Sequence, residues 1–246
     1  MLLLVLLLPT VAGLAAFLVR GDRTRRAMLV VTALGHLALV ATMWAHPPAP
    51  AWNRWLDLDA VGLLFLSITS LLFAVASFYA VGYLEREGHH AHRDFEEGRV
   101  FSDAPEARFV GCLLLFLASM TLVTVTQHLG LLWVAVEATT LASAPLIFFH
   151  RHHRSLEATW KYLLICSVGI ALALLGTFFV AVAAARPGGE SASMLLVDLM
   201  AEADLLQPGW LRAGFILLLV GYGTKMGLAP LHTWLPDAHV EAPSLA

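Results

Sequence analysis

Leu217-Leu-Leu-Val-Gly221-Tyr-Gly223-Thr-Lys225-Met-Gly227-Leu-Ala-Pro230-Leu-His232-Thr-Trp-Leu-Pro236-Asp237-Ala-His239-Val-Glu241-Ala-Pro243 joins an apolar helical run to a proline-interrupted turn, with a lysine between them. A charge deep in hydrocarbon costs several kcal/mol unless it is paired, hydrated or neutralised. Gly221, Gly223 and Gly227 let neighbouring helices or water approach the lysine closely. Pro230 and Pro236 remove backbone donors, so Gly227, Pro230 and Pro236 mark a helix break. In a membrane, broken backbone is tolerated only against protein or a water-filled cavity. The stretch therefore reads as part of an ion path, not as an anchor.

Working outward, the whole chain has the same character. Of 246 residues, 59% are hydrophobic and only 13% are charged, and the mean hydropathy is +0.77. No ordinary soluble domain has this composition. The net charge of −3 and the absence of a basic helix argue against a nucleic-acid partner. Cys112 and Cys166 each lie alone in an apolar run, without the paired spacing of a metal or redox site, and read as core residues. The first apolar run is followed, not preceded, by Arg20, Arg23, Arg25 and Arg26, which is the reverse of a signal peptide.

Apolar runs near 20 residues predict an all-α, polytopic transmembrane protein of about seven spans: Leu2–Val19, Ala27–Ala45, Ala60–Leu84, Phe109–Gln127, Leu129–Phe149, Trp160–Ala185 and Leu211–Leu231. The last is a broken helix, and the fourth and fifth form a tight hairpin. Odd-numbered loops are rich in arginine and even-numbered loops are poor in it, which puts the odd loops in the cytoplasm and the N-terminus outside. The third loop, Glu85–Arg108, is long and carries both signs; it suits either a soluble partner or a solvated loop. Residues 193–206 place acids opposite an apolar stripe, which predicts a short amphipathic helix on the outer surface. No internal repeat is visible.

Few ionisable groups fall within the spans. Glu137 lies near the middle of span five and Lys225 in span seven. They read either as a pair that exchanges a proton or as a static ion pair that fixes helix packing. Lys161 opens span six, as a relay group or as a lysine that snorkels to the headgroups. His232 and His239 titrate near neutral pH and can shuttle protons, with Asp237 and Glu241 as secondary candidates. The spacing of His232 and His239 across Pro236 does not match a helical zinc pair, so no metal is expected. His36 reads as a hydrogen-bonded packing residue. His89, His90, His92, His150, His152 and His153 read as solvated cytoplasmic loop residues. No phosphate loop or nucleophile motif is present.

The stretch from Lys225 to Ser244 closely resembles the signature of antiporter-like, proton-pumping membrane subunits. These occur in respiratory complex I, Mrp-type cation/proton antiporters and membrane-bound [NiFe] hydrogenases. Trp133-Val-Ala-Val-Glu137-Ala-Thr-Thr-Leu-Ala-Ser143 and Glu157-Ala-Thr-Trp160-Lys161-Tyr-Leu-Leu-Ile-Cys-Ser-Val-Gly-Ile170 are most similar to the component F branch of the hydrogenase-4 type. The resemblance implies that Glu137 and Lys225 are partners in a proton relay, that Lys161 is the span-six lysine, and that His232 and His239 lie along the broken segment. It also implies two regions: residues 1–108 hold spans one to three with their cytoplasmic loop, and 109–246 hold a first antiporter-type repeat. Such subunits usually carry two inverted repeats, so the second is expected to be missing here.

The function so implied is proton translocation within a membrane-bound hydrogenase or related complex I-like oxidoreductase, in the bacterial inner (plasma) membrane. Other membrane subunits would be direct partners and peripheral redox subunits indirect ones. Lacking cysteine ligands, the chain is expected to hold no redox cofactor of its own. Two alternatives remain: an Mrp-type cation/proton antiporter subunit, and a half-length structural subunit without transport activity.

Overall fold

The computed structural model describes residues 1–87, 91–93, 100–186 and 193–244. The third-loop residues His89 and His90 lie outside the described residues, as does the side chain of His92. The architecture is helical: α1 (Leu2–Leu18), α2 (Asp22–Ala45), α3 (Ala60–Glu87), α4 (Glu106–Val125), α5 (Leu129–Ile147), α6 (His153–Ala184), α7 (Leu196–Ala201), α8 (Pro208–Met226) and α9 (Leu235–Glu241). A short antiparallel ribbon pairs Ala91–Arg93 with Val100–Ser102 in the third loop.

Five of these helices, α2 to α6, are long and apolar enough to cross a membrane. The chain is a multi-pass membrane protein. The runs expected as spans one and seven form helices too, but differ in kind. α1 has 17 residues and so rises only about 25 Å, short of a hydrocarbon core of about 30 Å. α8 is diluted by Arg212, Lys225 and its glycines.

Helix α4 is the hub of the N-terminal half. Its buried residues include Phe109, Val110, Leu113, Leu114 and Leu117, which pack with Ala16 of α1, Leu29 and Ala33 of α2, and Phe73 of α3. His36 crosses this core fully buried, with Nδ1 2.9 Å from the Ser70 hydroxyl and Nε2 3.0 Å from that of Thr121. The packing role expected for it holds: one imidazole satisfies hydroxyls on two other helices.

Not all the arginines expected in the first loop are loop residues. The loop is only residues 19–21, and Arg23, Arg25 and Arg26 belong to the first turns of α2. Arg25 donates to the carbonyls of Ala16 and Val19, so it caps the end of α1. Arg26 binds Glu106 through Nε and Nη2, and its Nη1 lies 3.2 Å from Glu85, tying α2 to α3 and α4.

At the opposite end, two loops clasp the α4–α5 hairpin. The Asp57 N–H donates to Val125 O and the Gln127 N–H to Trp55 O; the Leu129 N–H then donates to Met194 O and the Leu196 N–H to Gln127 O. His128 caps α5 by accepting from the Leu131 N–H, and its ring stacks on Trp55 at 4.1 Å. The amphipathic helix expected over 193–206 is shorter than predicted. It is the six-residue α7 followed by a 3-10 turn, Ala203–Leu205, with Leu199 packed against Leu129 and Val180.

Candidate functional site

Helices α6 and α8 meet through glycine. A Cβ added at Gly221 would sit 2.6 Å from both Ala173 N and Gly169 O, and one at Gly176 would sit 2.9 Å from Gly214 O. Only missing side chains allow backbones this close. The contact runs antiparallel, so the end of α8 is drawn against the first half of α6.

Lys225 occupies the last turn of α8, where a cation complements the helix dipole. It lies at the helix end, not within an unbroken run. Gly227 follows in the left-handed region with φ +75°. Its N–H donates to Thr224 O, and that of Leu228 to Gly223 O, the paired bonds that terminate a helix at glycine. Pro230 lies in the irregular turn beyond. Pro236 does not break a helix; it sits in the first turn of α9, where no backbone donor is needed. Buried Trp234 spans the break, its indole N–H donating to Thr224 O at 2.9 Å.

The ammonium of Lys225 donates to the Tyr162 hydroxyl at 2.5 Å and lies 4.6 Å from the centre of that ring. Tyr162 is 4% exposed, and its hydroxyl is 2.6 Å from the Ser143 hydroxyl on α5. Lys225, Tyr162, Ser143, Thr139 and His239 line a cavity of about 590 Å³, whose other wall is apolar and includes Leu72, Phe73 and Phe116. The arrangement offers a proton donor, two hydroxyls that both accept and donate, and space for water.

Glu137 sits halfway along α5. The Ser167 hydroxyl donates to its Oε1 at 3.3 Å, and its buried Oε2 has no hydrogen-bond partner among the described residues. The register is set one turn earlier, where the Trp133 indole N–H donates to Ile170 O at 2.7 Å. Glu137 and Lys225 share the α5–α6–α8 region, yet no ion pair joins them among the described residues; Tyr162 holds the ammonium instead.

The other expected residues are spread more widely. Lys161 points to the outer face of α6, where it pairs with Glu157 at 2.7 Å and Asp237 at 2.8 Å. It neither reaches Lys225 nor snorkels alone. Glu241 is 3.3 Å from Nε2 of His152, the residue that caps α6. His232 is exposed in the turn, and exposed His239 borders the cavity. Two histidines expected to be solvated are engaged: His152 as described, and His150, which is 2.8 Å from Asp103 and 3.0 Å from the Tyr83 hydroxyl. Sequence reasoning passed over Tyr162 and Ser143. The available signal was helical phase: Tyr162 lies one turn before Cys166 on the inward face, whereas Lys161 is turned away from it.

Residues 126–246 match the family described as NADH:quinone oxidoreductase/Mrp antiporter, transmembrane. This region contains the helix break, Glu137, Tyr162 and Lys225. Residues 126–246 belong to this family of antiporter-like membrane subunits. It is 35% identical over 187 residues to a hydrogenase-4 component F homolog of Methylacidiphilum infernorum, an alignment covering 76% of this chain and 38% of that protein. It is 32% identical over 228 residues to NADH-quinone oxidoreductase subunit N 2 of Acidobacterium capsulatum, covering 91% of this chain and 42% of the relative. Among solved structures, a chain of respiratory complex I from Thermus thermophilus superposes with a TM-score of 0.75 at 25% identity, covering all of this chain and 48% of its own. A chain of the membrane-bound sulfane sulfur reductase, an archaeal respiratory membrane complex, shares the fold with a TM-score of 0.78 at 18% identity and 48% coverage of its own length. The chain thus spans less than half the length of these relatives. Both structural neighbours are chains of respiratory membrane complexes.

Proposed function

We propose that this chain is a proton-translocating subunit of a membrane-bound [NiFe] hydrogenase or related complex I-like oxidoreductase in a bacterial inner membrane. The supporting observation is Lys225: an ammonium at a helix break, bound to a buried hydroxyl chain that borders a cavity. In this reading residues 109–246 form one antiporter-type repeat, and residues 1–108 are its N-terminal support. Redox work in peripheral subunits alters hydration or charge near Glu137. Lys225 then takes up or releases a proton, which passes toward His239 and His232. Lys161 and Asp237 tune the path by holding α9 against α6.

The test uses inverted membrane vesicles carrying the intact complex, energised with hydrogen. Lys225→Ala and Glu137→Gln are expected to lower proton uptake per electron by about a hundredfold, with assembly and hydrogen oxidation retained. Wild-type uptake in both variants overturns the assignment. The family also includes Mrp antiporters, which keeps a second reading in view. Dissipation of an imposed sodium gradient without any redox substrate would favour it.

A further inference from the structure

We infer that Tyr162 and Ser143 form a hydroxyl relay carrying the proton released by Lys225 into the cavity, an inference that rests on the proton-translocating reading above. Three polar atoms stand in sequence on three helices: Lys225 Nζ on α8, Tyr162 Oη on α6 and Ser143 Oγ on α5, with steps of 2.5 and 2.6 Å. The Ser143 hydroxyl also lies 2.8 Å from Thr139 O, to which it can donate. Ser143 and Thr139 line the cavity.

The chemistry of the links matters. A carboxylate beside Lys225 would pair with the ammonium and hold its proton. A hydroxyl accepts one proton while donating another, so it passes charge without keeping it. Relay through neutral groups also avoids leaving an isolated ion in an apolar setting. Tyr162 is buried under Trp234, whose ring centre lies 5.0 Å away, so its orientation is fixed by packing on one side and by Lys225 and Ser143 on the other.

One N–H bond of the Lys225 ammonium breaks as the Tyr162 oxygen takes that proton. The original Tyr162 O–H breaks as Ser143 Oγ takes its proton. The original Ser143 O–H breaks toward a water in the cavity. Lysine ends as a neutral amine, both hydroxyls end neutral, and the positive charge resides on hydronium. Glu137 is off this line, bound to Ser167, and acts on Lys225 through space.

The experiment compares Tyr162→Phe, Ser143→Ala, Lys225→Ala and replacement of Tyr162 by 3,5-difluorotyrosine, all in the intact complex in energised inverted vesicles. Tyr162→Phe is expected to slow proton uptake by at least about tenfold and Ser143→Ala by less, because water can substitute for a small hydroxyl. The difluorinated ring keeps shape and hydrogen bonds but has a more acidic phenol, so the pH profile of uptake should move toward lower pH. A tyrosine that only positions Lys225 would leave that profile in place. Wild-type uptake in Tyr162→Phe, or an unshifted profile in the fluorinated protein, overturns the relay. Should Tyr162→Phe fail to assemble, the fluorinated variant decides. If Lys225→Ala also pumps normally, the function assignment itself has failed; if Lys225→Ala is inactive while Tyr162→Phe is active, only the relay has.

Discussion

Replacing Gly221 by alanine sets two known effects against each other. In an exposed helix the change would help by about 1 kcal/mol, through helix propensity. Here the added methyl would sit 2.6 Å from the backbone nitrogen of Ala173 and from Gly169 O, and 2.7 Å from Ala173 Cβ. Ordinary contact begins near 3.4 Å, so α8 must retreat from α6 by about 0.8 Å (3.4 minus 2.6). Backbone on both sides leaves no flexible side chain to yield. Overpacking of this kind costs about 1–3 kcal/mol, enough to outweigh propensity. The retreat also carries Lys225 away from Tyr162. A 2.5 Å bond lengthened by that amount reaches about 3.3 Å, at the weak end of the hydrogen-bond range. Thermal unfolding in detergent and proton uptake in vesicles should therefore both worsen in Gly221→Ala. Gly82→Ala in α3 is the control: nothing lies within 4 Å of its added Cβ, so it should be neutral or slightly stabilising. If Gly221→Ala were as stable as Gly82→Ala and pumped at the wild-type rate, the glycine contact would not be what positions the lysine.

Two further expectations concern stability. Burial lowers the pKa of His128, which must be neutral at Nδ1 to accept from Leu131. The unfolded chain binds that proton more readily, so stability is complete above about pH 6.5 and falls as pH drops below it, by about 1 kcal/mol. His128→Asn, a capping residue that does not titrate, should flatten this limb of a stability–pH curve; an unchanged slope would refute the cap. Glu106→Gln weakens the main buried partner of Arg26 and should cost about 3 kcal/mol in unfolding equilibria. A double-mutant cycle with Arg26→Met should then recover part of the loss, and strict additivity would argue against the pair.

The legible features were those carried by local pattern. The α4–α5 hairpin, the all-helical build and the break after Lys225 follow from apolar run length, glycine and proline. Helix ends were less legible. The start of α6 lies seven residues before the expected Trp160 (160 minus 153), because helical hydrogen bonding, capped by His152, continues beyond the apolar run. Lys161 drew notice for its charge, yet its neighbour Tyr162 faces the site, because one residue turns a helix by about 100°.

The sequence by itself determined that this chain enters a membrane as helices, that its seventh apolar run breaks after a lysine, and which family residues 126–246 belong to. Each rests on composition or on contiguous residues, where chain geometry leaves little choice. The tertiary structure alone decided what Lys225 touches. Among the polar residues in these apolar helices, charge singles out Glu137, yet Tyr162 holds the ammonium. The close crossing of α6 and α8 at Gly169, Ala173 and Gly221 sets the ammonium beside Tyr162. Packing of whole helices, not proximity in sequence, selects that partner.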